Sequence, residues 1–86
     1  MPKRYVYVYF MKDKPEVIKD VVSSHSNYWK TCSLENYLGG PFADRSGGII
    51  SFSSESLEQA GQVIEKDPFT TNNVIETRWI KEWIPE

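Results

Sequence analysis

Cysteine occurs once in the 86 residues, at Cys32, and histidine once, at His25. A single thiol makes no internal disulfide, and one thiol with one imidazole does not make a zinc site. No apolar run approaches the length of a membrane span, so no membrane partner is expected. The opening "MPKRYVYVYFMKDK" sets basic residues before an apolar run, as a secretory leader would. That run is short, is built of alternating tyrosines and ends in charge without a small-residue cleavage site. A strand and a cytoplasmic location are expected instead. A basic excess is also missing, since ten Lys and Arg face twelve Asp and Glu, for a net charge of −2. The chain therefore lacks the electrostatic footprint of a nucleic-acid-binding protein. Its length suits one domain, residues 1–86. A domain this small buries only about 60–65% of its unfolded surface and gains from a partner subunit.

What is present is strong periodicity. "KRYVYVYF" alternates, with Tyr5, Tyr7 and Tyr9 on one side and Val6, Val8 and Phe10 on the other, which predicts a strand. From Pro15 to Cys32 the spacing turns helical. Val17, Ile18, Val21, Val22, His25, Tyr28, Trp29 and Cys32 form one stripe, with Lys19, Asp20, Ser23, Ser26 and Lys30 outside it. "NYLGGPFADRSGGIISF" predicts two short strands, Tyr37–Phe42 and Gly48–Phe52, about a turn near Ala43–Gly47. A second helix is expected after a cap at Ser53 or Ser54, with Leu57, Ala60, Gly61 and Ile64 on one face and its end near Asp67. "DPFTTNN" can restart as one helical turn, and "VIETRWIKEW" is the last strand. The order β-α-β-β-α-β with right-handed crossovers predicts an α+β, ferredoxin-like sandwich: a four-stranded antiparallel sheet with two helices on one face. Trp79, Trp83 and several other aromatics are divided between the sheet faces. The face without helices is thus expected to pair with a second copy as a homodimer.

His25 has two readings: a core-facing imidazole bonded to a nearby group, or a general acid–base at a pocket edge with Trp29 as its apolar wall. Asp67 also has two: the N-cap of a short helix begun by Pro68, or a carboxylate that orients the imidazole. Cys32, about 10.5 Å along the helix from His25, is read as a buried, inert thiol. "GGPFADRSGG" lacks both phosphate-loop patterns and opens onto a strand, so it is read as a hairpin and pocket rim. Gly39, Gly40 and Pro41 would weaken a central strand and suggest an edge, a bulge, or backbone kept bare so that something can approach closely. The third strand, "GGIISFSS", holds one aromatic and no basic residue, unlike the signature of RNA-recognition modules that share this element order. No cofactor and no metal is signalled.

His25, then "YLGGPFADRSGG", then "SLEQAGQVIEKDPF", then a strand ending in "KEW", together resemble the YCII family over nearly the whole chain. The resemblance implies a dimeric α/β barrel, related to muconolactone isomerases and other small barrels acting on aromatic breakdown products. It implies a His–Asp pair, by position His25 and Asp67, beside a pocket. One departure stands out: many members carry a basic residue three positions before the histidine, and here that residue is Val22. The functional expectation is a small enzyme for proton transfer or elimination, lyase- or isomerase-like. His25 would move a proton, and Asp67 would orient it. Trp29, Phe42 and Phe69 would wall the pocket, and Gly39, Gly40 and Pro41 would form its floor. The alternative is a non-catalytic dimer that binds a small metabolite or serves in an assembly. Haem- or quinol-handling monooxygenases share the fold, an analogy of fold alone.

Overall fold

The computed structural model describes residues 2–86. The elements are β1 (Lys3–Met11), α1 (Pro15–Thr31), β2 (Leu38–Pro41), β3 (Gly47–Ser54), α2 (Leu57–Glu65), α3 (Pro68–Thr71) and β4 (Ile75–Trp83). The strands form one antiparallel sheet in the order β2-β3-β1-β4. This is the α+β, ferredoxin-like arrangement expected from the element order, with the short α3 added to the two main helices.

The alternation in β1 sorts the molecule into layers. Tyr5, Tyr7 and Tyr9 are buried, and Ile50 and Phe52, their partners across β3, share that face. Trp29 of α1 stacks over Tyr7, with ring centroids 6.3 Å apart, and packs on Phe52 at 5.7 Å. Ala60 and Ile64 of α2, Phe69 of α3 and Val74 complete the core. Each large aromatic removed from water contributes on the order of 2–3 kcal/mol, so this layer dominates folding. The other face carries Val6, Val8 and Phe10 beside Ile49, Trp79 and Trp83, and no helix covers it.

Helix α1 starts without a side-chain cap. Pro15 stands in its first turn with Glu16, and Lys30 lies in the last turn, each at the end its charge or ring geometry favours. Its apolar stripe is narrower than expected. His25 and Trp29 are buried, and Ile18, Val21 and Tyr28 pack at the core's edge, but Val17 and Val22 are exposed. Strand β2 has only four residues, so the sheet does not extend beneath the whole of α1.

Several boundaries differ from expectation: β2 lacks Tyr37 and Phe42 at its ends, and β3 begins at Gly47. Strand β3 continues through Ser54, so the cap of α2 falls to Ser56, whose Oγ accepts from the Gln59 N–H at 3.1 Å. Leu57 points outward rather than into the core. In the β2–β3 turn the Arg45 N–H donates to the Phe42 carbonyl at 2.9 Å, and Asp44 Oδ1 accepts from the Ser46 N–H at 3.0 Å. Beyond that turn β1 comes so close that a Cβ on Gly47 would lie 1.9 Å from the Tyr9 carbonyl oxygen. Only glycine fits there.

Candidate active site

Asp67 is placed by a break in the helix. The chain leaves α2 at Lys66 and re-enters helix at Pro68, and Asp67 between them adopts extended backbone. It is fully buried. Its Oδ1 accepts from the Phe69 N–H at 3.0 Å, as an N-cap should, and also from His25 Nδ1 at 2.7 Å. The two readings of Asp67 are therefore compatible, since one oxygen caps α3 and holds the imidazole. Its Oδ2 is buried with no partner among the described residues.

The carboxylate only accepts hydrogen bonds, so neutral His25 carries its proton on Nδ1 and leaves Nε2 as a lone pair. The Tyr9 hydroxyl donates to that nitrogen over a long 3.4 Å. The imidazole lies flat on Phe69, with centroids 3.8 Å apart and planes 10° off parallel, and edge-on to Tyr9 at 5.8 Å. Three elements thus fix the ring: α1 carries it, the α2–α3 break orients it and β1 supports it. Burial, then the negative charge of Asp67, holds the Tyr9 phenol well above the usual range. The same causes, in the same order, push Tyr7 up to about 12. Tyr9 therefore stays an O–H donor at any physiological pH.

A cavity of about 360 Å³ opens between α1 and the sheet edge beside this group. That is the size of a small-ligand pocket. Its wall includes Gly39 and Gly40 of the short β2, and glycines on β2 and β3 leave room for tyrosine hydroxyls to pack against the strands. A Cβ on Gly48 would lie 2.4 Å from Tyr9 Oη, and one on Gly39 would lie 3.2 Å from Tyr37 Oη. His25, Phe69, Gly39, Gly40 and Pro41 all line the cavity, with Gly39, Gly40 and Pro41 on the edge strand at its rim rather than as its floor.

Two expected wall residues are elsewhere. Trp29 is 1% exposed and lies in the core, sandwiched between Tyr7 and Tyr37. One turn beyond His25 it points down onto the sheet, and Tyr37, stacked on it at 6.3 Å, takes the wall position instead. Phe42 follows Pro41, and strand alternation turns it to the helix-free face, where it packs on Phe10 at 5.6 Å. Cys32 caps the end of α1 and does not line the cavity. Sequence reasoning missed Tyr9, Tyr37, Lys30 and Arg45, which do line it. Tyr9 had a signal in the tyrosine triplet of β1, Tyr37 and Arg45 lay within or beside the segment read as a pocket rim, and Lys30 had none.

Chemically, the group offers a lone pair on Nε2, a carboxylate that stabilises the imidazolium formed when Nε2 takes a proton, and a phenol donor beside it. Among the described residues no group of three or more His, Cys, Asp and Glu side chains could hold a metal ion. No helix there is long and apolar enough to cross a membrane.

Comparison with known proteins agrees with this architecture. YjpA of Bacillus subtilis (strain 168), an uncharacterised protein, is 28% identical over 81 residues, covering 92% of this chain and 94% of that protein. Among solved structures, 5-chloro-2-hydroxyhydroquinone dehydrochlorinase (TftG) from Burkholderia phenoliruptrix AC1100, in complex with 2,5-dihydroxybenzoquinone, superposes with a TM-score of 0.81. The match covers 94% of this chain and 93% of that one at 18% identity, a likeness of fold. A family model for the YCII-related domain matches residues 5–84, and the chain belongs to that family.

Proposed function

We propose that the protein is a small-molecule enzyme that transfers a proton or promotes an elimination without a cofactor, using His25 as acid–base and Asp67 to orient it. The observation that carries this is the 2.7 Å bond from His25 Nδ1 to a fully buried carboxylate. It leaves Nε2 basic beside a ligand-sized cavity. Phe69, Gly39, Gly40 and Pro41 hold the substrate against it. TftG, of the same fold, is a dehydrochlorinase with a cyclic ligand, and a dehydrochlorination is an elimination. That supports a ring compound as the substrate class.

We infer further that the helix-free sheet face closes a homodimer. Trp79 is 50% exposed, Trp83 43% and Ile49 41%, large apolar side chains on one face that water does not favour. The Arg4 guanidinium sits over the Trp83 ring, 5.3 Å from its centroid, so the edge of that face is already organised.

The test is solvent deuterium uptake, followed by NMR, into a panel of cyclic carbon acids and β-substituted cyclic ketones. The wild type should exchange or eliminate on at least one, and His25→Ala should do neither while keeping its fold. Activity that survives His25→Ala would sink the assignment. One observation favours a second reading: His25 is only 9% exposed and stacked on Phe69, as in a packed binding site without turnover. That reading expects ring ligands to bind and none to react.

A further inference from the structure

Among the described residues Tyr9, His25, Ser26, Lys30, Tyr37 and Arg45 contribute the polar side chains of the cavity wall, and all but His25, whose Nδ1–H is held by Asp67, can donate a hydrogen bond to a ligand. Among the described residues no carboxylate and no side-chain amide lines it. Asp67 stands behind His25 and Phe69, and Asp44 next to Arg45 is tied to the Ser46 N–H and hydroxyl. In a chain of net charge −2, the cavity gathers two permanent cations and no anion.

The cations come from different elements. Lys30 lies in the last turn of α1, and Arg45 lies on the β2–β3 turn. Arg45 adopts a left-handed backbone, with φ 63°. Glycine or asparagine suits that position better, so arginine there works against the local backbone preference. Ile18, Met11 and Phe69 add apolar side chains to the same wall. The two phenols stay protonated donors, since burial raises both.

We propose that the cavity selects a planar, single-ring ligand bearing an anionic oxygen substituent such as a carboxylate, with Lys30 and Arg45 recognising the charge. The ring lies against the apolar side chains, and the phenol donors face its oxygens. This inference rests on the pocket reading above and names its ligand class.

Benzoate and benzamide differ in charge and hardly in shape, so they separate charge recognition from ring fit. The His25 ring gives a single NMR reporter in the cavity wall. Both ligands are titrated into wild type, Lys30→Gln, Arg45→Gln and the double variant, with Lys19→Gln on the outer face of α1 as control. Benzoate should shift His25 with an affinity at least fivefold above benzamide. Each single variant should weaken benzoate about two- to fivefold, as expected for exposed charge pairs. The double variant should bring it level with benzamide, and added salt should do the same. Benzamide binding as tightly as benzoate, or benzoate unaffected by the double variant, overturns the anion inference and leaves the pocket standing. A His25 signal that ignores both rings overturns the pocket reading as well.

Discussion

Replacing Asp67 by alanine or by serine separates the two tasks of its Oδ1. Alanine removes the cap of α3, worth about 0.5–2 kcal/mol. It also leaves the buried His25 Nδ1–H without an acceptor, worth about 1–3 kcal/mol. Together the loss is about 2–4 kcal/mol. A chain of 86 residues has on the order of 4–13 kcal/mol in all, so the variant stays folded at low temperature but melts about 10–25 °C lower. Serine still caps, since its hydroxyl reaches the Phe69 N–H, but it is too short to reach His25. Asp67→Ser should therefore recover about 1 kcal/mol relative to Asp67→Ala, with the same loss of imidazole orientation. The assay is urea unfolding by tryptophan fluorescence at fixed protein concentration, with ring nitrogen shifts of His25 from NMR. Wild type should show a single tautomer with the proton on Nδ1, and both variants a mixture. Equal midpoints for alanine and serine, or an unchanged tautomer in both, would refute the double role.

Three more outcomes follow from the packing. Gly47→Ala should fail to fold or lose several kcal/mol, because its Cβ would meet the Tyr9 carbonyl at 1.9 Å, while Gly40→Ala, with nothing within 4 Å, should unfold near the wild-type midpoint. In alkali, Tyr7 keeps its proton in the fold up to about 12, whereas unfolded tyrosine loses it at 10. Between those values the unfolded chain binds fewer protons, so stability is intact below pH 10 and falls as pH rises through the window. The slope is about 1.4 kcal/mol per pH unit for each such phenol; urea midpoints that stay flat from pH 10 to 11.5 would contradict the burial of Tyr7. Trp79→Glu on the helix-free face should convert a dimer to a monomer in sedimentation velocity, and a wild type that sediments as a monomer would remove the dimer.

Periodicity carried the fold well because this sheet has one buried face and each helix a clear stripe. The alternating tyrosines of β1 and the Asp-Pro start of α3 could be read directly. Periodicity carried the cavity poorly. Helical spacing put Trp29 on the His25 stripe, but could not say that one more turn would carry it onto Tyr7 and Phe52. The bare glycine run was legible as open space, yet what fills its neighbourhood, the hydroxyls of Tyr9 and Tyr37, depends on strand register. The contact between His25 and Asp67, 42 positions apart, came from resemblance and not from any pattern in the residues. Lys30 and Arg45 look like ordinary surface charges until the fold brings their elements to one opening.

The shortness of β2 has a mechanical consequence. The outer wall of the cavity is also the rim of the sheet, four residues with two glycines, paired only to β3. The floor, by contrast, is β1, clamped between two long neighbours. The recess is thus rigid beneath and loose at the side, like a bench with a spring jaw. Backbone amides of the rim should exchange with solvent far faster than those of β1, and a bound ring should slow the rim alone.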